Sequence, residues 1–473
     1  MNNLLDNELI HRYIAECEQF KNDCNYRKTL AQEIGLNEND YYILRPIIGE
    51  QEFQYILNNL QEKDFMPGIR HDYTLMDSHD QTYLNAGKFK ANLHIHTKYS
   101  DGIMPINEVL SQAIDLANKN VQLAPSNMPL IIAVTDHDNL DGAKEILKKV
   151  SQTPAIFENV RIVLGIELST ITNQFKNLKK ALLIHTHMFC INPFDKNFSD
   201  YILDKKELKK LLATETINKL NNILKKDLNT LNTEFNLKEA AQLHPMLLMG
   251  QDEVCLPMKK YTASKILFSH FVLNNKKLIQ LLKEKNIYIE NLRPERPIVG
   301  YKELYTRNLP YSINYLDGLK LYLSKFIKNK DLTPFFDTNT ISIEKILNKA
   351  FEICENAHPT LEKMPQAFFS FEETLEKLTA QKYGVFGIAH PARTLVKDTN
   401  STPEELFDEM FNTFKKYGKN KAQYYEGYYQ SYFGTTYMNY LEAIEKSAQK
   451  YNLTKTGGLD SHGPNIITRH PFI

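Results

Sequence analysis

The stretch that most limits what this chain can fold into is residues 91–102, ANLHIHTKYSDG, an apolar run that carries His94 and His96 and ends in a polar turn. Successive side chains of a β-strand point to opposite faces, so these two histidines project to the same side. Asp101 follows in the turn, where it can return a carboxylate to the end of the strand. The pattern predicts a metal site, although a half-buried strand with hydrogen-bonded histidines is compatible with it.

Three further apolar runs follow, and each carries a polar side chain near its end. They cover residues 129–138, 161–169 and 180–190 and contain His137, Glu167, His185 and His187. A helical pattern at 105–120 separates the run at 91–102 from the run at 129–138, and another at 139–150 separates the latter from the run at 161–169. Near-continuous aliphatic strands that alternate with helices predict a parallel sheet covered on both faces. A lone glutamate in such a strand is costly unless it is paired or bound to a metal.

Strand character returns near the end of the printed sequence. The three late runs cover residues 383–393, 423–432 and 455–463 and contain His390, Asp460 and His462. The aromatic residues of the middle run suit barrel packing or a base-stacking platform. Catalytic groups of parallel α/β barrels gather at the carboxyl ends of the strands, so this distribution predicts such a barrel.

Four regions are predicted along the chain. They are an N-terminal helical extension at 1–88, a first part of the barrel at 89–196, a helical insertion at 197–372 and a second part of the barrel at 373–473. Lysine pairs in the insertion are typical of solvated helix faces or of a surface that binds successive phosphates of a nucleic acid. The pattern does not indicate which protein partner, if any, the helical additions bind.

Composition excludes several classes of protein. The 57 basic and 57 acidic residues balance, so a strongly basic nucleic-acid-binding protein is not indicated. Five scattered cysteines without a CxxC pair oppose a disulfide scaffold and a zinc–thiolate site. The N-terminus lacks a secretory pattern, and no apolar run approaches the roughly 18 residues of a membrane span. We therefore expect a cytoplasmic protein that does not engage a membrane.

The polar residues at the strand ends form a consistent set of metal donors without a thiolate: His94, His96, Asp101, His137, Glu167, His185, His390, Asp460 and His462. Imidazole mixed with carboxylate suits manganese, zinc or iron better than calcium. The set exceeds the needs of one ion, so two or three divalent ions are expected, and a carboxylate such as Glu167 can bridge two of them. Clustered cations generate hydroxide and neutralise phosphoryl charge, which predicts hydrolysis of a phosphate ester.

The ordered motifs HxH, SDG, TDHD, GIELS, IHTH, AHP and DSH resemble the PHP (polymerase and histidinol phosphatase) superfamily, most closely its stand-alone metal-dependent phosphoesterases. The resemblance covers roughly residues 89–196 and 378–465. It implies a distorted (β/α)7 TIM-like barrel with a trinuclear site at the carboxyl ends of the strands and a metal-bridged hydroxide as nucleophile.

The resemblance also implies how the donors divide among three ions. The first ion is held by His94, His96, Glu167 and Asp460, the second by Glu167, His185 and His390, and the third by Asp101, His137 and His462. His185 matches the family position better than His187. Among these residues Asp101, His137 and Glu167 are expected to act in catalysis, together with Arg393.

Arg393 follows His390 by three residues, where it suits a clamp on a substrate phosphate or a surface salt bridge. The expected substrate is a nucleotide, a nucleoside bisphosphate or another small phosphomonoester. Two other functions compete with this prediction: a 5′–3′ exonuclease on short RNA or DNA, and a non-catalytic metal-containing scaffold that binds a protein. A metal-dependent amidohydrolase is disfavoured, because no lysine stands at these strand ends.

Overall fold

The computed structural model describes residues 7–65, 90–102, 104–123, 129–179, 181–243, 266, 269–285, 333–336, 345–346, 349, 368–393, 399–429, 439–462 and 466–467. The chain forms two compact units. The first comprises residues 1–202, 368–471 and 473, and the second comprises residues 203–367 and 472. The four region boundaries that the sequence suggests stay predictions.

The first unit contains a nearly closed, barrel-shaped sheet. Its strands are β1 (Ala91–Ile95), β2 (Leu130–Val134), β3 (Val160–Thr172), β4 (Leu182–Phe189), β5 (Phe369–Ser370), β6 (Val385–Ile388), β7 (Ala422–Tyr429) and β8 (Thr454–Gly458). Seven strands follow the order β1-β2-β3-β4-β6-β7-β8, and the two-residue β5 pairs with β3. Ser461, just beyond β8, bridges to Ile95 of β1 and brings the two edges together. The predicted α/β barrel is confirmed.

One strand runs in the opposite direction from the others. Strand β4 is antiparallel to both β3 and β6, whereas the remaining neighbours in the barrel are parallel. The expectation that every polar side chain lies near the carboxyl end of its strand is therefore wrong for His185, which lies in the first half of β4. Because β4 is reversed, its first half lies beside the carboxyl-terminal half of β3, and Ser169 pairs with His185.

Hydrophobic burial explains why these segments form the barrel. The side chains of β1 and β2 are buried along their whole length, as expected for strands covered on both faces. Helices α5 (Ile106–Leu123), α6 (Asp141–Gln152), α11 (Phe371–Thr379), α12 (Pro403–Gly418) and α13 (Leu441–Lys450) supply apolar faces. Thr402 and Glu405 form a capping box at the start of α12, and Pro403 occupies its first turn.

Within the predicted N-terminal extension, the described residues 7–65 are mainly helical. Its helices are α1 (Asn7–Gln19), α2 (Lys21–Glu33), a 3-10 helix (Glu38–Leu44), α3 (Glu50–Asn59) and α4 (Glu62–Phe65). Ile162 of β3 donates its amide to Pro46 and accepts from the amide of Ile48. These contacts tie the segment to the first half of β3.

Further helices follow β4. They are α7 (Lys196–Ile223), α8 (Lys225–Thr230), α9 (Leu237–Leu243) and α10 (Lys276–Glu284). Pro294, Pro297 and Pro310 predict a break within the helical insertion, and this segment lies outside the described residues. None of the helices described is long and apolar enough to cross a bilayer.

Candidate metal centre

Glu167 lies in the middle of a polar cluster inside the barrel. Its side chain on β3 is completely buried. Oε1 lies 2.7 Å from Nδ1 of His185 and 3.2 Å from Nε2 of His390. Oε2 lies 2.9 Å from Nε2 of His94. The two carboxylate oxygens therefore face different groups of histidines.

His94 and His96 meet Asp460 beside the second oxygen of Glu167. The Nε2 atoms of the two histidines are 2.9 Å apart, and they lie 3.4 and 3.2 Å from Oδ1 of Asp460. Nε2 of His96 is also 3.1 Å from Oε2 of Glu167. Two imidazole nitrogens and two carboxylate oxygens thus converge on one small volume, as donor atoms around a transition-metal cation do.

Asp101 links the remaining donors to this group. Its Oδ2 lies 2.8 Å from Nε2 of His462, and its Oδ1 lies 3.5 Å from Nδ1 of His96 and 4.0 Å from Nε2 of His137. Nδ1 of His137 is in turn 3.5 Å from Oε2 of Glu167. All nine donors singled out in the sequence are therefore joined in one continuous cluster. Their role as metal ligands stays a prediction.

Two carboxylates of the cluster, Glu167 and Asp101, are held in the charged form. Burial by itself raises the pKa of a carboxyl group, but the neighbouring His94 and His137 hold the pKa of Glu167 well below its usual range. Asp101 behaves in the same way, because His462 and His96 outweigh its burial and lower its pKa. Buried negative charge of this kind needs a proton or a cation close by.

The histidines divide into two electrostatic groups. Burial lowers the pKa of an imidazole, yet Glu167 and other carboxylates raise the pKa of His94 well above its usual value. Asp101 is among the carboxylates that raise the pKa of His96 to about 9 in spite of burial. For His390 burial dominates and lowers the pKa to about 3. In the absence of a cation, protons on His94 and His96 thus balance the carboxylates.

The backbone is left-handed at two of the donors. His390 and Asp460 have φ angles of 26° and 52° and follow shortly after β6 and β8. This conformation costs a residue other than glycine on the order of 1–2 kcal/mol. Such strain persists where the surrounding structure over-determines it, which is common at binding and catalytic sites.

Asp136, after β2, fixes the loop that carries Asp101. One of its oxygens accepts hydrogen bonds from the amide of Thr97 and the hydroxyl of Ser100, both at 2.7 Å. The other oxygen accepts from the hydroxyl of Thr97 at 2.8 Å. Ser100 directly precedes Asp101, so these bonds hold the turn after β1 in the position that brings Asp101 to His96.

The structure adds two residues of β7 that the sequence analysis did not single out. Glu426 is buried, and both its oxygens lie within hydrogen-bond distance of Nδ1 of His94. The hydroxyl of Tyr429 donates to Oδ2 of Asp460 at 2.7 Å. A signal for Glu426 exists in the sequence, because a lone carboxylate in an aromatic strand is costly without a partner.

Arg393 lies at the edge of the same cluster. Its Nη1 donates to Oδ2 of Asp460 at 3.3 Å and to the hydroxyl of Tyr429 at 3.2 Å. The side chain remains 38% exposed. The ion pair that the sequence allowed as an alternative is therefore present, and its partner is a carboxylate of the cluster. The role of Arg393 as a phosphate clamp stays a prediction.

His185 contacts Glu167 directly, whereas the ring of His187 packs against another histidine. The His187 ring meets the His94 ring edge-on with 4.4 Å between centroids. Burial and the nearby His94 lower the pKa of His187 well below its usual value. Within the described part of the chain, Nε2 of His187 has no hydrogen-bond partner. These contacts favour His185 as a ligand and a neutral packing role for His187.

Four overlapping groups of three donors within the described residues have the spacing to hold an ion. They are His94–His96–Asp460, His94–Glu167–His390, His96–Asp101–His462 and His96–His137–Glu167. In each group the donor atoms lie within 4.8 Å of one another. Because the groups share members, a cation in one volume has donor-lined volumes next to it. The donor set thus fits the binding of divalent metal ions.

Residues 92–226 match the family model of the PHP domain. The match begins in β1 and extends past the first part of the barrel to the start of α8. No curated protein matches this sequence significantly. The residues after 226 lie outside the matched segment.

Two solved structures resemble the chain at low identity. One is a candidate metal-dependent phosphoesterase of Bifidobacterium adolescentis, 14% identical, with 80% of this chain and 90% of that chain covered and a TM-score of 0.41. The other is an amidohydrolase of Chromobacterium violaceum with bound sulfate and no metal, 15% identical, with the same coverage and the same TM-score of 0.41.

Proposed function

We propose, from the premise that this chain carries a PHP domain, that it is a metal-dependent phosphoesterase acting on a small phosphorylated substrate. A nucleotide, a nucleoside bisphosphate or another small phosphomonoester is the class we favour. The observation that carries the proposal is the position of Glu167, whose two oxygens face separate groups of imidazoles at 2.7–3.2 Å. A carboxylate in that position can be shared by two cations.

The donors divide among three proposed ions. His94, His96, Glu167 and Asp460 hold the first, Glu167, His185 and His390 hold the second, and Asp101, His137 and His462 hold the third. The close approach of the Nε2 atoms of His94 and His96 supports the first site. The contact between Asp101 and His462 at 2.8 Å supports the third.

Divalent cations bound there supply hydroxide at neutral pH and neutralise charge that develops on a phosphoryl oxygen. The chain's own residues position the reactants. His137 lies beside Glu167 and Asp101 lies beside His462, where both can orient an incoming nucleophile. Glu167 keeps the neighbouring imidazoles in a fixed arrangement. The partly exposed guanidinium of Arg393 can bind a phosphate oxygen of the substrate.

Hydrolysis of a panel of phosphomonoesters and short oligonucleotides, with added manganese, tests this proposal. The comparison protein carries His94→Ala and His96→Ala together, and Glu372→Gln serves as a matched control. Glu372 is also a buried carboxylate, but it accepts from Thr172 and Ser370. We expect the double variant to lose activity about a thousandfold, equivalent to roughly 4 kcal/mol, and the control to retain it.

Equal turnover by the wild-type protein and the double variant contradicts the proposal. Preference for oligonucleotides over every small phosphoester, with binding that weakens steeply as salt is added, favours an exonuclease instead. Absence of hydrolysis across the panel in protein that retains its metal favours a scaffold.

A further inference from the structure

We propose that Glu426 is a positioning residue that fixes one metal-facing nitrogen and one strained backbone amide, and so arranges a ligand in each of two proposed ion sites. The inference rests on the metal centre of the proposed function. It concerns a residue outside the nine donors. Glu426 acts through His94, a ligand of the first site, and through His390, a ligand of the second.

The contact with His94 sets which nitrogen faces the cations. Nδ1 of His94 lies 3.1 and 3.2 Å from the two oxygens of Glu426, while its Nε2 faces Glu167 and His96. A neutral imidazole carries its proton on one nitrogen, and a carboxylate beside Nδ1 retains the proton there. The lone pair of Nε2 is then directed into the cluster, where a cation can accept it.

The contact with His390 supports an unfavourable backbone conformation. The amide of His390 donates to Oε2 of Glu426 at 2.8 Å. This residue is left-handed, with φ of 26°, at the point where the chain leaves β6. A charge-assisted hydrogen bond offsets part of the conformational cost and holds the imidazole with Nε2 at 3.2 Å from Glu167.

Packing restricts Glu426 to this indirect role. Its side chain is only 2% exposed, so it does not meet a substrate. Gly458 of β8 lies directly against it, and a Cβ there would come within 2.7 Å of Oε1 of Glu426 and 2.4 Å of Cβ of His94. The glycine therefore permits the close packing that keeps the carboxylate beside Nδ1 of His94.

Metal affinity tests the inference without a hydrolysis assay. The variants Glu426→Gln and Glu426→Leu are compared with wild-type protein and with Glu372→Gln by competition of Zn²⁺ against a chromogenic chelator. Glutamine keeps the shape and one accepting oxygen, but it removes the negative charge beside Nδ1 of His94 and puts an NH2 donor in place of one oxygen. We expect zinc affinity to fall about tenfold for Gln and about a hundredfold for Leu, the range known for residues that orient metal ligands.

A spectroscopic signature separates positioning from general stability. Absorption of the Co²⁺-loaded protein in the visible region reports ligand geometry, and we expect it to change in both Glu426 variants and to stay unchanged in Glu372→Gln. Wild-type affinity and an unchanged spectrum in Glu426→Leu overturn the inference. Equal weakening in Glu372→Gln also overturns it, since any buried carboxylate then has the same effect.

A measurement on unaltered protein covers the case in which the Glu426 variants do not fold. The measurement is the NMR spectrum of ¹⁵N-histidine-labelled, Zn²⁺-loaded protein. The signals of His94 are identified by their loss in His94→Gln. We expect them to show the proton on Nδ1. A proton on Nε2 overturns the inference.

If wild-type protein binds no divalent cation, the inference and the proposed function both fail. If it binds zinc but hydrolyses no phosphoester, the proposed function fails and the inference about Glu426 is judged by metal binding alone.

Discussion

Two buried groups of charged residues in the first unit differ in how their charge is balanced. The group around Glu52 contains Arg27, Arg45 and Arg161, so permanent positive charges surround the carboxylate. The cluster around Glu167 has histidines in that place, and their charge depends on protons. In the first group the protein's own permanent charges balance the carboxylate, whereas the second group requires protons or cations for its charge balance.

The two groups occupy different levels of the same strand. Arg161 lies at the beginning of β3 and Glu167 lies six residues later, which corresponds to roughly 20 Å at the rise of a β-strand. Nε of Arg161 contacts Glu52 at 3.2 Å, and burial together with Arg45 lowers the pKa of Arg161 to about 10. The guanidinium nevertheless stays charged at neutral pH. Arginine thus serves the docking of the N-terminal helices, whereas histidine serves the proposed metal centre.

The largest effect is expected for Glu167→Gln, which removes the carboxylate common to two proposed ion sites. The amide keeps the shape but cannot bind two cations. We expect at least a thousandfold loss of phosphoesterase activity and loss of more than one metal ion per chain, measured by turnover and elemental analysis. If the variant retains all its metal ions and the wild-type turnover, the contrast between the two groups is wrong, because the charge of Glu167 is then not needed to bind cations.

The next largest effect is expected for Glu52→Gln, which leaves three arginines without their shared partner. Breaking a buried ion pair in this way costs about 3–5 kcal/mol. We expect the free energy of unfolding in denaturant to fall by that amount, while the metal content of the folded variant stays unchanged. Loss of metal at full stability means that the two groups are not independent.

Gly458→Ala tests whether close packing against His94 is needed for metal binding. The added methyl group meets the Cβ of His94 at 2.4 Å and Oε1 of Glu426 at 2.7 Å, so the ring must shift. We expect zinc affinity to fall about tenfold, with a smaller change in thermal stability than Glu52→Gln causes. The check is chelator competition beside a melting curve. Unchanged zinc affinity means that the site tolerates displacement of His94.

The smallest effect concerns pH. The pKa of His96 is raised to about 9 from an ordinary value near 6.5, so protonation stabilises the metal-free fold fully below pH 6.5. That contribution is lost as pH rises from 6.5 through 9. We expect the melting temperature of chelator-treated protein to fall by a few degrees over this interval.

Metal-loaded protein is the control for the pH prediction. Cations compete with protons for the imidazoles, so zinc uptake near pH 7.5 should release protons, and its affinity should rise with pH. Calorimetry in buffers of different ionisation enthalpy measures that release. Zinc uptake without proton release contradicts the proposal that His96 is protonated in the metal-free protein and loses this proton when it binds zinc.

The nine donors could be selected from the sequence because their signals are local. His94 and His96 are two residues apart in an apolar run, and Glu167 is a lone carboxylate in an aliphatic strand. These patterns survive folding, because strand periodicity and the cost of buried charge do not depend on the partner. The barrel follows from the same aliphatic strands and the helices between them.

Contacts between distant segments escaped the sequence analysis. Glu426 acquires its role only from His94, which lies 332 positions away. The direction of β4 has a local signal in the sequence, because residues 173–181 are too few for a crossover helix and favour an antiparallel connection. The group of arginines around Glu52 depends on docking of α2 and α3 to β3, which helical periodicity does not reveal.

The most direct test of the central claim is a crystal structure of manganese-loaded or zinc-loaded protein with anomalous scattering measured at the metal edge. We predict two or three anomalous peaks a few ångström apart, with the oxygens of Glu167 contacting at least two of them. A single peak that does not contact Glu167, or no peak among these nine side chains at saturating metal, contradicts the account.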